Sequence, residues 1–483
     1  MRSLIKHALL LVLTLGLVLI ALIVVANWRD EPLSTPTKAL LSSYKMPTEA
    51  QLQDNGFLIL SGLDAPLDEV GRRSPVESAM QAGRQRLDNE IERKQWFDTT
   101  HGNPAKAPPP FQPASAMKAS DILPDALQCK PDLAPRCHEW YLKHVNALGP
   151  VLAAQQPTLM RLAAATKANR FESFFPPYME QIFPPYQHLT RAHELQLAQA
   201  SLLWSQGQQA KTLDLLEQSD RLTRRLADTS HHLVGNVIAL QMQYRRLRWI
   251  SDVIATTQAT IPAASITRMQ ALLDAPVVPM RDGLNGEAVL MTIFMASVAE
   301  SSQDWADITA IASEKSPVWG QWLRGKLDKA TYLPNATLNQ QSEWWAQFLL
   351  VADTNAHDWD AAFSNAKRSA EAQKEARTSW LGLRNYTGSL ITDIAAPNYA
   401  AYVQRRYDVE GFRRLVIAQL KARELHILPA KMQTWLQGIP GELHDPYTLK
   451  PMQWDATSQS MIFEGREPQT QNPGRSKTYR IRY

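Results

Sequence analysis

From Ala8 to Trp28 no residue carries a charge, and most are Leu, Val, Ile or Ala. A membrane-crossing helix needs about 20 apolar residues at a rise of about 1.5 Å each. The run meets that length, whereas the apolar core of a secretory signal is about 7–15 residues. Thr14 is its one hydroxyl, which a helix satisfies against its own backbone. Trp28 falls where an interfacial aromatic belongs. Arg2, Lys6 and the amino terminus precede the run, while Arg29 is offset at once by Asp30 and Glu31. The positive flank stays inside. The pattern therefore predicts one transmembrane helix within residues 1–28, with the chain beyond it exported. Val24-Val25-Ala26 would also suit a signal peptidase, so a cleaved signal peptide is the competing reading. No Cys lies near the run, which leaves a lipoprotein without support.

Beyond the run the pattern changes several times. Arg29 to Asn55 reads as a polar tether, and Asn55 to Leu63 as a short apolar strand or docking turn bounded by glycines. Val76 to Phe97 is charged and helix-compatible, and Thr99 to Ser120 is a Pro/Ala-rich exposed loop or linker. Residues 29–120 thus read as tether and linker with short elements. From His138 apolar residues recur at spacings of three and four: Leu240, Tyr244, Leu247, Ile250 and Ile254 form one face, as do Leu215, Leu222 and Leu226. Leu290, Phe294 and Val298 do so again after a break at Gly283 and Gly286. Gly149-Pro150, Pro262, Pro276, Pro279, Pro334, Pro397 and Pro429 punctuate the runs. An all-α stack over 121–440 follows, with helices of about 12–25 residues. Phe175-Pro176-Pro177-Tyr178 returns as Phe183-Pro184-Pro185-Tyr186. Adjacent prolines cannot sit inside a helix, so each copy marks a turn with aromatic packing; a docking motif for a proline reader is the alternative. After Lys450 come Trp454, then Met461 to Glu464, then Thr478 to Tyr483, the last alternating with period two. Residues 441–483 therefore read as a small three-stranded β meander.

Composition and charge narrow the function. Apolar residues make up 45% of the chain, enough for packed cores, and a net charge of only +4 argues against a nucleic-acid partner. The 14 tryptophans serve chiefly to pack helices, with a sugar- or peptide-stacking surface as the alternative. The two cysteines, Cys129 and Cys137, flank Pro131 and Pro135. In an oxidising compartment they form a structural disulfide, stabilising a local turn by roughly 2.5 kcal/mol in the chain-entropy model. A zinc site with His138 and His144, or a redox pair, would need closer spacing. The C-x-x-C-H of covalent haem is absent.

Catalytic signatures are missing from the sequence. G-x-S-x-G, H-E-x-x-H, Walker A and G-x-G-x-x-G do not occur. His188 and His193 are five apart, which does not place them on one helical face, and His231-His232 would point to different sides of a helix. No metal or cofactor is expected. Glu287, at the head of the apolar run Ala288 to Val298, is either a helix N-terminal charge or a buried acid of raised pKa suited to acid catalysis. Basic residues cluster at Arg221/Arg224/Arg225, Arg245/Arg246/Arg248, Arg405/Arg406/Arg413/Arg414 and Arg475/Lys477/Arg480/Arg482. They form solvated helix faces or, if they converge, a site for anionic lipid, lipopolysaccharide or an acidic partner.

Two resemblances add layout. Ala200 to Ala210, a small-residue helix end, a Gly turn and an Ala opening the next helix, looks like half a tetratricopeptide repeat, and Trp359-Asp360-Ala361-Ala362-Phe363 weakly echoes its second helix. No 34-residue period sustains it, so the expectation is an irregular array of such pairs. His444-Asp445-Pro446-Tyr447-Thr448-Leu449-Lys450-Pro451, and Asn385-Tyr386-Thr387-Gly388 with Pro397 and Tyr399 following, are similar to sequences in a group of uncharacterised, membrane-anchored envelope proteins of Gram-negative bacteria. That resemblance implies a single-pass inner-membrane protein whose bulk is periplasmic, and no activity. The expected function is a non-enzymatic scaffold meeting a protein partner in the envelope. The alternative is an envelope enzyme acting on glycan or peptide through carboxylates that sequence cannot pair.

Overall fold

The computed structural model describes residues 2–66, 73–100, 107–113, 115–130, 136–257, 261–300, 326, 328–377, 384–395, 399–468 and 476–483. The protein is mainly helical, with a small antiparallel sheet at its C-terminal end. Pro131, Pro135, Pro397 and Arg475 lie outside the described residues.

The apolar run forms α1 (Arg2–Ala26). From Leu10 to Val25 most of its large apolar side chains are exposed, Leu10 at 68% and Val25 at 73%, and Thr14 donates to the Leu10 carbonyl at 2.8 Å. Among the described residues no helix is both long and apolar enough to cross a membrane.

The segment read as a tether is bound to the body. It contains α2 (Thr35–Leu41) and α3 (Glu49–Leu52), and α4 (Gly56–Ser61) follows it. Asp30 accepts from the backbone amides of Asn335 and Ala336, and Glu31 accepts from the Asn339 side chain, contacts with a distant helix that no local pattern reveals. The apolar stretch after Asn55 is helical, not a strand. Asn55 caps it, its Oδ1 accepting from Phe57 N at 3.0 Å, and all six residues of α4 are buried. An apolar run buried on every side has no period that separates helix from strand. Gly62 and Gly83 explain how closely α4 crosses α5 (Pro75–Thr100): a Cβ on Gly83 would sit 1.9 Å from the Leu58 carbonyl oxygen. The described part of the Pro-rich stretch lies along α5, with Asn89 donating to the Pro109 carbonyl at 3.2 Å and accepting from Phe111 N at 2.8 Å.

Next come α6 (Ala119–Ile122), α7 (Cys137–Lys143), α8 (Val145–Ala154) and α9 (Gln156–Lys167). Pro150 does not end a helix but sits inside α8, at the cost of one intrahelical hydrogen bond. The two Phe-Pro-Pro-Tyr copies occupy the extended path before α10 (Tyr186–Ser205), and Tyr178 and Tyr186 are buried there. Gly207, at φ +76°, turns the chain into α11 (Gln209–Thr229), which packs on α10 and on α12 (Leu233–Thr256). His232 is the N-cap of α12 and His231 precedes it at φ +53°, so this pair is not inside a helix. After α13 (Ala263–Asp274), α14 (Arg281–Glu300) runs through Gly283 and Gly286 without a break. Those glycines admit Asn236 and the His231 backbone at close range.

The last helices are α15 (Pro334–Ala352), α16 (Trp359–Arg377), α17 (Tyr386–Ala395), α18 (Ala400–Glu424) and α19 (Met432–Gly438). The expected meander follows as β1 (Gln453–Asp455), β2 (Ser460–Pro468) and β3 (Ser476–Arg482), in that spatial order. Trp454 pairs with Met461, and Phe463 with Tyr479. The sheet lies on α18, where Phe463 fills the space left by Gly411. One contiguous apolar cluster runs from Leu52 to Ile481 and so joins the N-terminal segments, the helices and the sheet. Trp249, Trp345 and Trp359 are fully buried within it, which is the packing role expected of the tryptophans.

Candidate functional site: a basic cleft beside the disulfide

Five parts of the chain meet around a cleft of about 410 Å³. The cysteine loop and α7 form one wall, α10 and α12 the floor, and α18 and the β2–β3 end the opposite wall. The helical periodicity of α12 carries this geometry. Leu240 and Tyr244 lie one turn apart, and Arg245 and Arg248 are neighbours at i and i+3.

Cys129 and Cys137 stand at disulfide distance, with Cα atoms 5.3 Å apart. Two buried carboxylates hold their loop. Glu194 Oε1 accepts from Cys129 N at 2.7 Å and Tyr141 Oη at 3.3 Å, while its Oε2 accepts from Arg245 at 2.8 Å. Asp252 Oδ2 accepts from Cys137 N at 2.7 Å. Burial pushes the Asp252 carboxyl up to about 7, against the pull of Arg248 and of the Cys137 and His138 amides. His138 packs edge-on to Trp249, and burial lowers its imidazole to about 4. His144 packs at a tilt against Trp140 instead, and Cys129 and Cys137 are paired with each other, so the zinc alternative has no sulfur ligands here. Among the described residues no group of three His, Cys, Asp or Glu is arranged for a metal ion.

The basic clusters converge only in part. Arg245 and Arg248 from α12, Arg405 from α18 and Lys477 from β3 line the cleft. Six of the others are spent on structure. Arg246 is buried against Asp220, Arg224 pairs with Asp220, and Arg225 donates to the Ala168 carbonyl. Arg413 and Arg414 both bind Glu410, and Arg480 binds Asp455. The partners that complete the cleft, Glu194, Glu467, Tyr244 and Tyr479, come from separate elements and form no local motif; Tyr244, on the periodic face of α12, and Tyr479, inside the alternating last strand, were the traceable signals.

The remaining candidates lie elsewhere. Glu287 is the seventh residue of α14, too deep to act as an N-terminal charge. Burial raises its pKa, opposed by a hydrogen bond from Tyr399 Oη at 3.1 Å. His188 binds the Met117 carbonyl, and buried His193 meets Ser219 Oγ at 3.0 Å, so the two face different partners. Tyr447 of the Pro-Tyr-Thr-x-Lys-Pro segment donates to buried Asp408 at 2.6 Å. Asn385, at φ +51°, accepts from Leu333 N at 2.8 Å and donates its own backbone N–H to Asn27 Oδ1 at 2.9 Å. That motif therefore closes on the exit of α1. No family model, curated protein or solved structure matches the chain.

Proposed function

We propose that this protein is a membrane-tethered helical scaffold of the bacterial envelope, held in the inner membrane by α1, with its amino terminus cytoplasmic and its body periplasmic. The observation that carries the reading is the exposed apolar surface of α1 joined directly to a packed body: Arg384 donates to the Ala26 carbonyl at 3.0 Å, and Asp30 caps α15 by accepting from Asn335 N at 2.7 Å. Exposed apolar side chains around a helix have no favourable place in water. Trp28, 75% exposed at the end of that helix, suits the bilayer interface. The α10–Gly207–α11 pair, stacked on α12, supports an irregular TPR-like array that meets a protein partner. The buried acids support a structural role, since Glu90, Glu194, Asp252 and Asp408 each tie separate elements together.

The test uses the full chain in native membranes. It should stay in the pellet after alkaline carbonate extraction, and a phosphatase fused to its C-terminus should be active outside the cytoplasm. Cross-linking followed by detergent purification should recover a stoichiometric envelope protein. Release by carbonate would overturn the tether, and recovery of no stable partner would overturn the scaffold.

One observation favours the enzymatic reading, the buried Glu287 with its raised pKa. Glu287→Gln should leave the thermal melt unchanged or raised, because an uncharged amide is easier to bury, and should leave any glycan-lysing activity of the preparation intact. An unchanged melt with that activity abolished would replace the scaffold by an enzyme.

A further inference from the structure

We propose that the cleft beside the disulfide binds a small anionic amphiphile, a phosphate or carboxylate head carrying a short apolar body. The inference stands apart from the tether, since every group it uses lies in the body.

Charge is the first argument. Among the described residues, Arg245, Arg248, Arg405 and Lys477 line the cleft with two carboxylates, Glu194 and Glu467. Glu194 is turned into the protein, where the Cys129 amide, Tyr141 and Arg245 occupy it. Glu467 is divided, with Oε1 3.0 Å from Arg405 and Oε2 3.6 Å from Lys477. Arg248 is also drawn toward Asp252, which leaves Arg245, Arg405 and Lys477 outnumbering the two carboxylates by one positive charge, partly shielded from solvent, where it is worth more than at an open surface. Lys477 is also held over the rings of Tyr244 at 5.3 Å and Tyr479 at 5.0 Å, which fixes a cation at the mouth.

Shape and lining are the second. The floor is apolar, made by Leu197, Val237 and Leu240, with Val409 of α18 extending the apolar lining onto the facing wall. A pocket of about 410 Å³ falls in the range used by small ligands rather than folded domains. An apolar floor beneath a basic rim complements a molecule whose charge and hydrocarbon are at opposite ends. A bare inorganic anion would leave the floor unfilled, and a neutral alkyl compound would leave the rim uncompensated.

The experiment is calorimetric titration of the full chain in nanodiscs of zwitterionic lipid with hexyl phosphate, inorganic phosphate and hexanol. Hexyl phosphate should bind at least about tenfold tighter than either control. The double variant Arg405→Gln/Lys477→Gln, which changes two partly exposed side chains, should weaken it about tenfold with an unchanged melt. If that variant loses its native melt, the wild-type salt response decides: binding should weaken from about 50 to about 300 mM salt. Nanodiscs containing phosphatidylglycerol separate the sources. Loss of hexyl phosphate binding there assigns the cleft to a lipid headgroup, and retention assigns it to a soluble anion. Equal affinity for hexyl phosphate and hexanol, binding unmoved in a natively melting double variant, or binding insensitive to salt would overturn the proposal.

Discussion

At the scale of single residues, Asp252 carries the most telling electrostatics. Its carboxyl is buried beside the disulfide loop and pushed up to about 7. The folded protein therefore keeps this proton where the unfolded chain has released it. Folded binding exceeds unfolded binding across that window, so the contribution to stability falls as pH rises from about 4 through about 7, then levels off. Asp252→Asn removes the titration and keeps an acceptor for the Cys137 amide. Denaturant unfolding should show the variant gaining on the wild type by roughly 1–3 kcal/mol between pH 5 and pH 8. A difference independent of pH would mean that Asp252 is ionised throughout. Sequence could find the cysteine pair, because both partners lie in one short segment. It could not find Asp252 or Glu194, which reach that loop from α12 and α10.

Elements were legible where period and burial agree. The face Leu240, Tyr244, Leu247, Ile250 and Ile254 lies in α12, and the alternation of Thr478 to Tyr483 lies in β3. Gly56 to Ser61 was not, because complete burial erases the contrast that a period needs. Gly283 and Gly286 read as a break because their local cost is visible and their packing against Asn236 and His231 is not. How the sheet is fastened to α18 was likewise hidden. Asp408 accepts from Tyr447 and Tyr479 hydroxyls at 2.6 and 3.3 Å and from the amides of Arg466 and Glu467 at 2.9 and 3.0 Å. Asp408→Ala leaves four donors without their acceptor and should cost roughly 3–5 kcal/mol. Hydrogen exchange should then accelerate across β2 and β3 before it does in α12. Uniform acceleration throughout the chain would place Asp408 in the global core instead.

For the whole molecule, the decisive contacts bridge some three hundred residues. Asn339 on α15 accepts from Ser34 N at 2.7 Å and Thr37 Oγ1 at 2.9 Å, and donates to Glu31 Oε1 at 2.7 Å and the Pro32 carbonyl at 3.0 Å. Asn339→Ala removes all four and should destabilise the attachment of 30–41 by roughly 2–4 kcal/mol. Limited proteolysis should begin within that stretch while the rest of the body stays intact; unchanged resistance would show that Asp30 and Arg384 suffice. No local reading of charge or polarity could anticipate this attachment, since Arg29 to Asn55 has the composition of a free chain.

The consequence is one of reach. A wandering segment as long as 29–55 would let the body roam roughly 30 Å from its exit point. Fastened as it is, the body has one elevation and one heading relative to α1. In the proposed bilayer setting, a partner or ligand would be met only at that altitude, and pulling on the body would lean the helix in the lipid before any slack was taken up.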